Sequence, residues 1–185
     1  MRAPTDRAKL TRFLDALGRR LRLPIRFYLV GGSVVIDLGL RAATLDIVYI
    51  AEADDPRAMA DLERAIRELK DELDVNVEPA SPGDFLPVPA SVLGRSRFVG
   101  QHGRVAVYHY HPPTLVIAKV ARGLEQDFAD AEGLVRSGAA SWPEVEETWR
   151  ETAASPTGWL RHDPAAVARR LAVLRERLGE APPEP

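Results

Sequence analysis

Residues 28–33 read Tyr28-Leu29-Val30-Gly31-Gly32-Ser33, and the stretch that decides the fold runs on from there to Leu45-Asp46-Ile47-Val48-Tyr49-Ile50. Residues 25–30 form an apolar, aromatic run typical of a strand, and it leads straight into a glycine pair. Val34, Val35, Ile36, Leu38 and Leu40 suit a short buried helix that Gly39 can terminate. Residues 45–50 then read as a second strand. A strand that hands over to a helix through Gly-Gly-Ser exposes backbone N–H groups, and the helix dipole adds partial positive charge there. Glycines let phosphate oxygens approach the main chain, and a serine hydroxyl can add a hydrogen bond. The turn is not a dinucleotide fingerprint: the G-x-G-x-x-G spacing and the Walker Gly-Lys-Ser/Thr ending are both missing.

Working outward, Thr5 can cap a helix whose stripe is Leu10, Phe13, Leu14, Leu17 and Leu21, with Pro24 stopping it. From Pro56 to Leu73 the pattern is a charged amphipathic helix with Met59, Leu62, Ile66 and Leu69 facing inward. Residues 74–78 alternate, which predicts a third strand with Asp74, Asn76 and Glu78 on one face. A proline-rich loop spans 79–89. Strands near 96–101 and 104–110 pair through a turn at His102-Gly103. From Pro113 the periodicity turns helical, with segments near 113–124, 126–137, 142–153 and 163–178. The expected class is α+β: a mixed sheet flanked by helices over 1–112, a helical C-terminal part over 113–179 packed on it, and a disordered tail at 180–185.

A length of 185 residues suits one domain with a helical extension, and 45% hydrophobic with 28% charged residues excludes disordered and fibrous chains. No apolar run reaches the roughly 20 residues that span a bilayer, and the N-terminus lacks a signal-peptide core. The absence of cysteine removes disulfides, thiolate metal sites and cysteine nucleophiles. A cytoplasmic protein without membrane partners is the expectation. A net charge of −2 gives no global pull towards nucleic acid. Of the 25 basic residues only Lys9, Lys70 and Lys119 are lysines. Lys119 lies in the apolar run 115–121, where its ammonium must reach water or meet an anion. If one helix ran unbroken through this segment, Lys119, Arg122, Gln126 and Asp130 would share a face, with Asp127 close by.

The block from Tyr28 through Gly31-Gly32-Ser33, Arg41 and Thr44 to Asp46 resembles the signature of the nucleotidyltransferases of the DNA polymerase β superfamily. In particular it looks like the small bacterial group related to abortive-infection and toxin–antitoxin nucleotidyltransferases. The likeness extends through the Asn76 strand, the Pro82-Gly83-Asp84-Phe85 loop and the Lys119–Asp130 segment, covering residues 25–135 or so. It implies a nucleotidyltransferase-like fold that binds Mg²⁺ and an NTP. The expected reaction is transfer of a nucleoside monophosphate to a tRNA or protein acceptor, in a toxin with a cognate antitoxin. Gly31, Gly32, Ser33, Thr44, Lys119 and Arg122 would contact the nucleotide. Asp46 would be catalytic and metal-binding, Glu78 or Asp74 would supply a further carboxylate, and Asn76 could lend a neutral oxygen. Lys119 would touch the triphosphate, supported by Asp127 or Asp130.

The family carries two aspartates on alternate positions of the second strand, because alternation places both on one face for hard divalent cations. Here Asp46 matches the first position and Val48 occupies the second. Valine cannot ligate a metal. A natural pseudoenzyme, a reduced metal site and an inactivating substitution are the three readings. The alternative function is a noncatalytic, antitoxin-like binding or regulatory module of the same fold. A third reading uses Arg161, Arg169, Arg170, Arg175 and Arg177 as an RNA-binding face. His109 and His111 flank Tyr110 and would share a strand face, but no third metal ligand accompanies them. Trp142, Trp149 and Trp159 are expected to pack the C-terminal helices.

Overall fold

The computed structural model describes residues 2–84, 86–155, 159 and 161–180. Phe85 of the proline-rich loop and all but the first residue of the expected tail lie outside these. The chain divides into two compact units, Met1–Ser81 with Ser96–Tyr110, and Pro82–Arg95 with His111–Pro185.

The first unit carries α1 (Arg7–Arg20), β1 (Ile25–Val30), α2 (Gly32–Asp37), β2 (Asp46–Glu52), α3 (Arg57–Glu72), β3 (Asn76–Pro79), β4 (Arg97–His102) and β5 (Val105–His109). The sheet order is β3-β2-β1-β5-β4. β1 is antiparallel to β2 and parallel to β5, β2 is parallel to β3, and β4–β5 is an antiparallel hairpin. Alternation divides the sheet into two faces. Phe27, Leu29, Ile47, Tyr49, Val77, Val105 and Val107 are buried on one of them. Phe27 stacks on Tyr49 with ring centroids 4.6 Å apart and meets Phe13 of α1 at 6.4 Å. Leu62, Ile66 and Leu69 of α3 are likewise buried, as their helical spacing requires.

Two local expectations change. The cap of α1 is Asp6, whose carboxylate accepts from the Lys9 N–H at 2.7 Å. Thr5 is instead drawn into a two-residue bridge with Thr44, their backbone N–H and C=O groups exchanging bonds of 2.7 and 2.9 Å. Asp74 does not join the third strand. It adopts a left-handed turn, φ 51°, and its carboxylate accepts from Ala3 N at 3.2 Å. The α3-to-β3 reversal needs that turn, and an aspartate tolerates it better than most side chains.

The second unit holds α4 (Pro112–Arg122), α5 (Glu125–Arg136), α6 (Trp142–Ala153) and α7 (Pro164–Leu178), with short 3-10 turns at Pro82–Asp84 and Ala90–Arg95. α4 is buried from Pro112 to Ala121, as expected of a helix apolar all round, and α5, α6 and α7 each pack against it. Sequence sets the ends. Gly123 closes α4 in the left-handed conformation at φ 74°. Ser141 and Glu144 form a capping box on α6, and Asp163 with Pro164 starts α7. Among the described residues no helix is long and apolar enough to cross a membrane.

Candidate functional site

The glycine turn joins β1 to α2. Gly31 has φ 58° and ψ −125°, a conformation that only glycine adopts readily, and the space where its Cβ would project is open. Gly32 is tight for another reason. A Cβ there would lie 2.5 Å from Thr44 Oγ1 and 2.6 Å from Arg41 Nη2, so the 41–44 segment folds directly over the turn. Arg41 Nε also donates to Ala43 O at 3.0 Å. Ser33 is fully buried, and its Oγ accepts from the backbone N–H of Val48 at 2.8 Å. The serine hydroxyl thus ties the start of α2 to β2, which fixes the turn against the strand that carries Asp46.

Asp46 opens β2 and is half-buried. The parallel register pairs Asp46 with Asn76 and Val48 with Glu78. Partners in register share a face, so Asp46, Asn76 and Glu78 lie on one side of the β2–β3 pair and Val48 lies among them. This donor set is two carboxylates and one amide, all hard oxygen. The set is of the ligand type that Mg²⁺ takes, which is commonly one or two carboxylates with water and phosphate completing the shell. It does not supply the acid at position 48 that a two-ion arrangement needs. No group of three or more His, Asp or Glu side chains able to hold a metal occurs among the described residues.

On that same face Tyr28 donates to Glu52 at 2.9 Å and stacks on Tyr108 with centroids 5.0 Å apart; Phe98 meets Tyr108 edge-on at 5.4 Å. Burial and the bond to Glu52 push the Tyr28 phenol up to about 12. Sequence reasoning did not single out this cluster, although the period-2 spacing of Arg26, Tyr28 and Val30 contained the signal.

Lys119, Arg122, Asp127 and Asp130 belong to the second unit, and they do come together, though not along one helix. Gly123 breaks the run, and the α4–α5 turn brings the two halves face to face. Lys119 Nζ donates to Asp130 Oδ2 at 2.6 Å and lies 3.6 Å from Asp127 Oδ1. Arg122 Nε donates to Asp127 Oδ2 at 3.1 Å, and Gln126 Nε2 to Asp130 Oδ1 at 3.1 Å. Lys119 and both aspartates are buried. Two cations face two anions, so the cluster is charge-balanced as it stands.

The histidines find other uses. His109 is buried with Nε2 2.6 Å from Asp37 Oδ2, and His111, the N-cap of α4 rather than a strand residue, has Nδ1 3.0 Å from Thr114 Oγ1. The C-terminal arginines are largely engaged. Arg170 donates to Ala121 O at 2.6 Å, Arg177 reaches Glu125 and Glu132, Arg175 lies 3.8 Å from Glu146, and Arg169 lies 3.8 Å from Asp163. No protein-family profile, no curated protein and no solved structure matches this chain.

Proposed function

We propose that this protein is a nucleotide-binding member of the nucleotidyltransferase class whose transfer activity is weak because valine stands at position 48. The observation that carries the reading is the β2–β3 register, which sets Asp46, Asn76 and Glu78 on one face beside a glycine turn held to β2 by Ser33. Asp46 and Glu78 would hold one Mg²⁺, which when bound supplies charge neutralisation on the phosphates. The main chain at Gly31, facing open space, leaves room for phosphate oxygens. The acceptor is a hydroxyl of tRNA or of a protein. Its oxygen bonds to the α-phosphorus, the bond to the β,γ-pyrophosphate breaks, and pyrophosphate leaves while the hydroxyl proton passes to a carboxylate such as Asp46.

A second reading is favoured by Val48 itself together with the balanced Lys119 cluster: a noncatalytic module that binds a nucleotide or a partner such as an antitoxin. One experiment separates the two. Parent and Val48→Asp proteins are incubated with each α-labelled NTP, Mg²⁺, total RNA and total protein, and NTP affinity is measured by calorimetry. Label transferred by the variant well above the parent supports the enzyme. NTP binding with no transfer by either protein supports the noncatalytic module, and absence of NTP binding overturns the nucleotide reading.

A further inference from the structure

α6 and α7 both lie against α4, and a groove of about 440 Å³ is lined by residues of these two helices. That volume falls within the roughly 300–1,000 Å³ of small-molecule sites. Its walls are unusual for a surface cleft. Trp142 and Trp149 line it from α6, and Ala168 and Ala172 keep the α7 side open because they carry only a methyl group. Trp149 is held in place by an edge-on contact with Trp159, centroids 5.7 Å apart.

The charges are arranged asymmetrically. Glu146, the acid lining the groove, already accepts from Trp142 Nε1 at 2.9 Å and lies 3.8 Å from Arg175. Arg150 also lines the groove, is exposed, and forms no ion pair with a described residue. The site therefore combines indole surface, an α7 wall kept open by alanines, and one uncommitted guanidinium. Aromatic rings favour stacked or edge-on partners, and guanidinium favours a planar anion that accepts two hydrogen bonds.

We propose that this groove binds a small planar aromatic carboxylate, its ring against Trp149 and its carboxylate on Arg150. The site lies wholly within the second unit and is independent of the nucleotide reading.

The test uses the full chain with 1-naphthoate as probe and its neutral isostere 1-naphthamide as control. The three indole N–H signals are followed by ¹H–¹⁵N correlation spectra. Saturable shifts of the Trp142 and Trp149 signals are expected with naphthoate. Naphthamide should bind about tenfold more weakly, and Arg150→Gln should weaken naphthoate to the same degree, the size expected for one charge-assisted contact. Ala172→Phe, at an exposed helix position where the fold tolerates a larger side chain, should weaken naphthoate at least tenfold with the backbone amide spectrum away from the groove unchanged. Absence of indole shifts, equal affinity for the acid and the amide, or full binding by Ala172→Phe would each overturn the proposal.

Discussion

Lys119 Nζ sits 2.6 Å from Asp130 Oδ2 with both side chains almost wholly buried, although the two residues belong to different helices separated by the turn at Gly123. Removing the cation alone leaves the Asp130 carboxylate in the interior without the ammonium that faces it. Lys119→Met should therefore cost about 3–5 kcal/mol in urea unfolding. The double variant Lys119→Met/Asp130→Leu should be more stable than the single one, because the stranded charge is gone. If the double variant is the weaker of the two, the pair is not the closed unit its geometry implies.

Val48→Asp adds an acid between Asp46 and Glu78 on their shared face. Without divalent cation the variant should unfold more readily than the parent, by about 1–2 kcal/mol, from like-charge crowding and the loss of a half-buried apolar group. Millimolar Mg²⁺ should then raise its Tm more than that of the parent. Thermal scans with and without Mg²⁺ read this directly, independently of any transfer assay.

Tyr28 yields a pH dependence. Its phenol is held up to about 12, above the ordinary value near 10, by burial and by donation to Glu52. Between these values the unfolded chain has lost the proton and the folded one keeps it, so folding is opposed progressively as pH rises from about 10 to about 12. Tyr28→Phe should lose about 1 kcal/mol near neutrality with its hydrogen bond. In exchange its stability should fall less steeply across that alkaline window, measured by denaturant titration at several pH values.

Gly18 lies in the last turn of α1, and replacing a helical glycine by alanine ordinarily stabilises a helix by up to about 1 kcal/mol. Here the sign should reverse. A Cβ at Gly18 would collide with the backbone carbonyl of His102 in the β4–β5 turn, and Arg104 N donates to Gly18 O at 3.3 Å across the same approach. Backbone cannot move aside as a side-chain end can. Gly18→Ala should cost about 3 kcal/mol, seen as a lowered urea midpoint.

The elements themselves were legible in the sequence because each depends on local spacing. The run 25–30 and the stripe at Leu62, Ile66 and Leu69 decide strand and helix within a few residues. Where a distant segment intervened, sequence misjudged the outcome. Asp6 rather than Thr5 caps α1, because the main chain of Thr5 is bridged to Thr44, far along the chain.

The chain's own residues determine that a glycine turn precedes an acidic strand, that valine stands at position 48, and that the fourth helix is buried with a lysine in it. Tertiary structure alone decided that Ser33 spends its acceptor on Val48 N, that Glu78 lies opposite Val48, and that Lys119 is neutralised by Asp127 and Asp130. Periodicity reports which side a residue faces. It carries no information about which distant group occupies the far side, because that depends on strand register and helix packing between segments far apart in sequence.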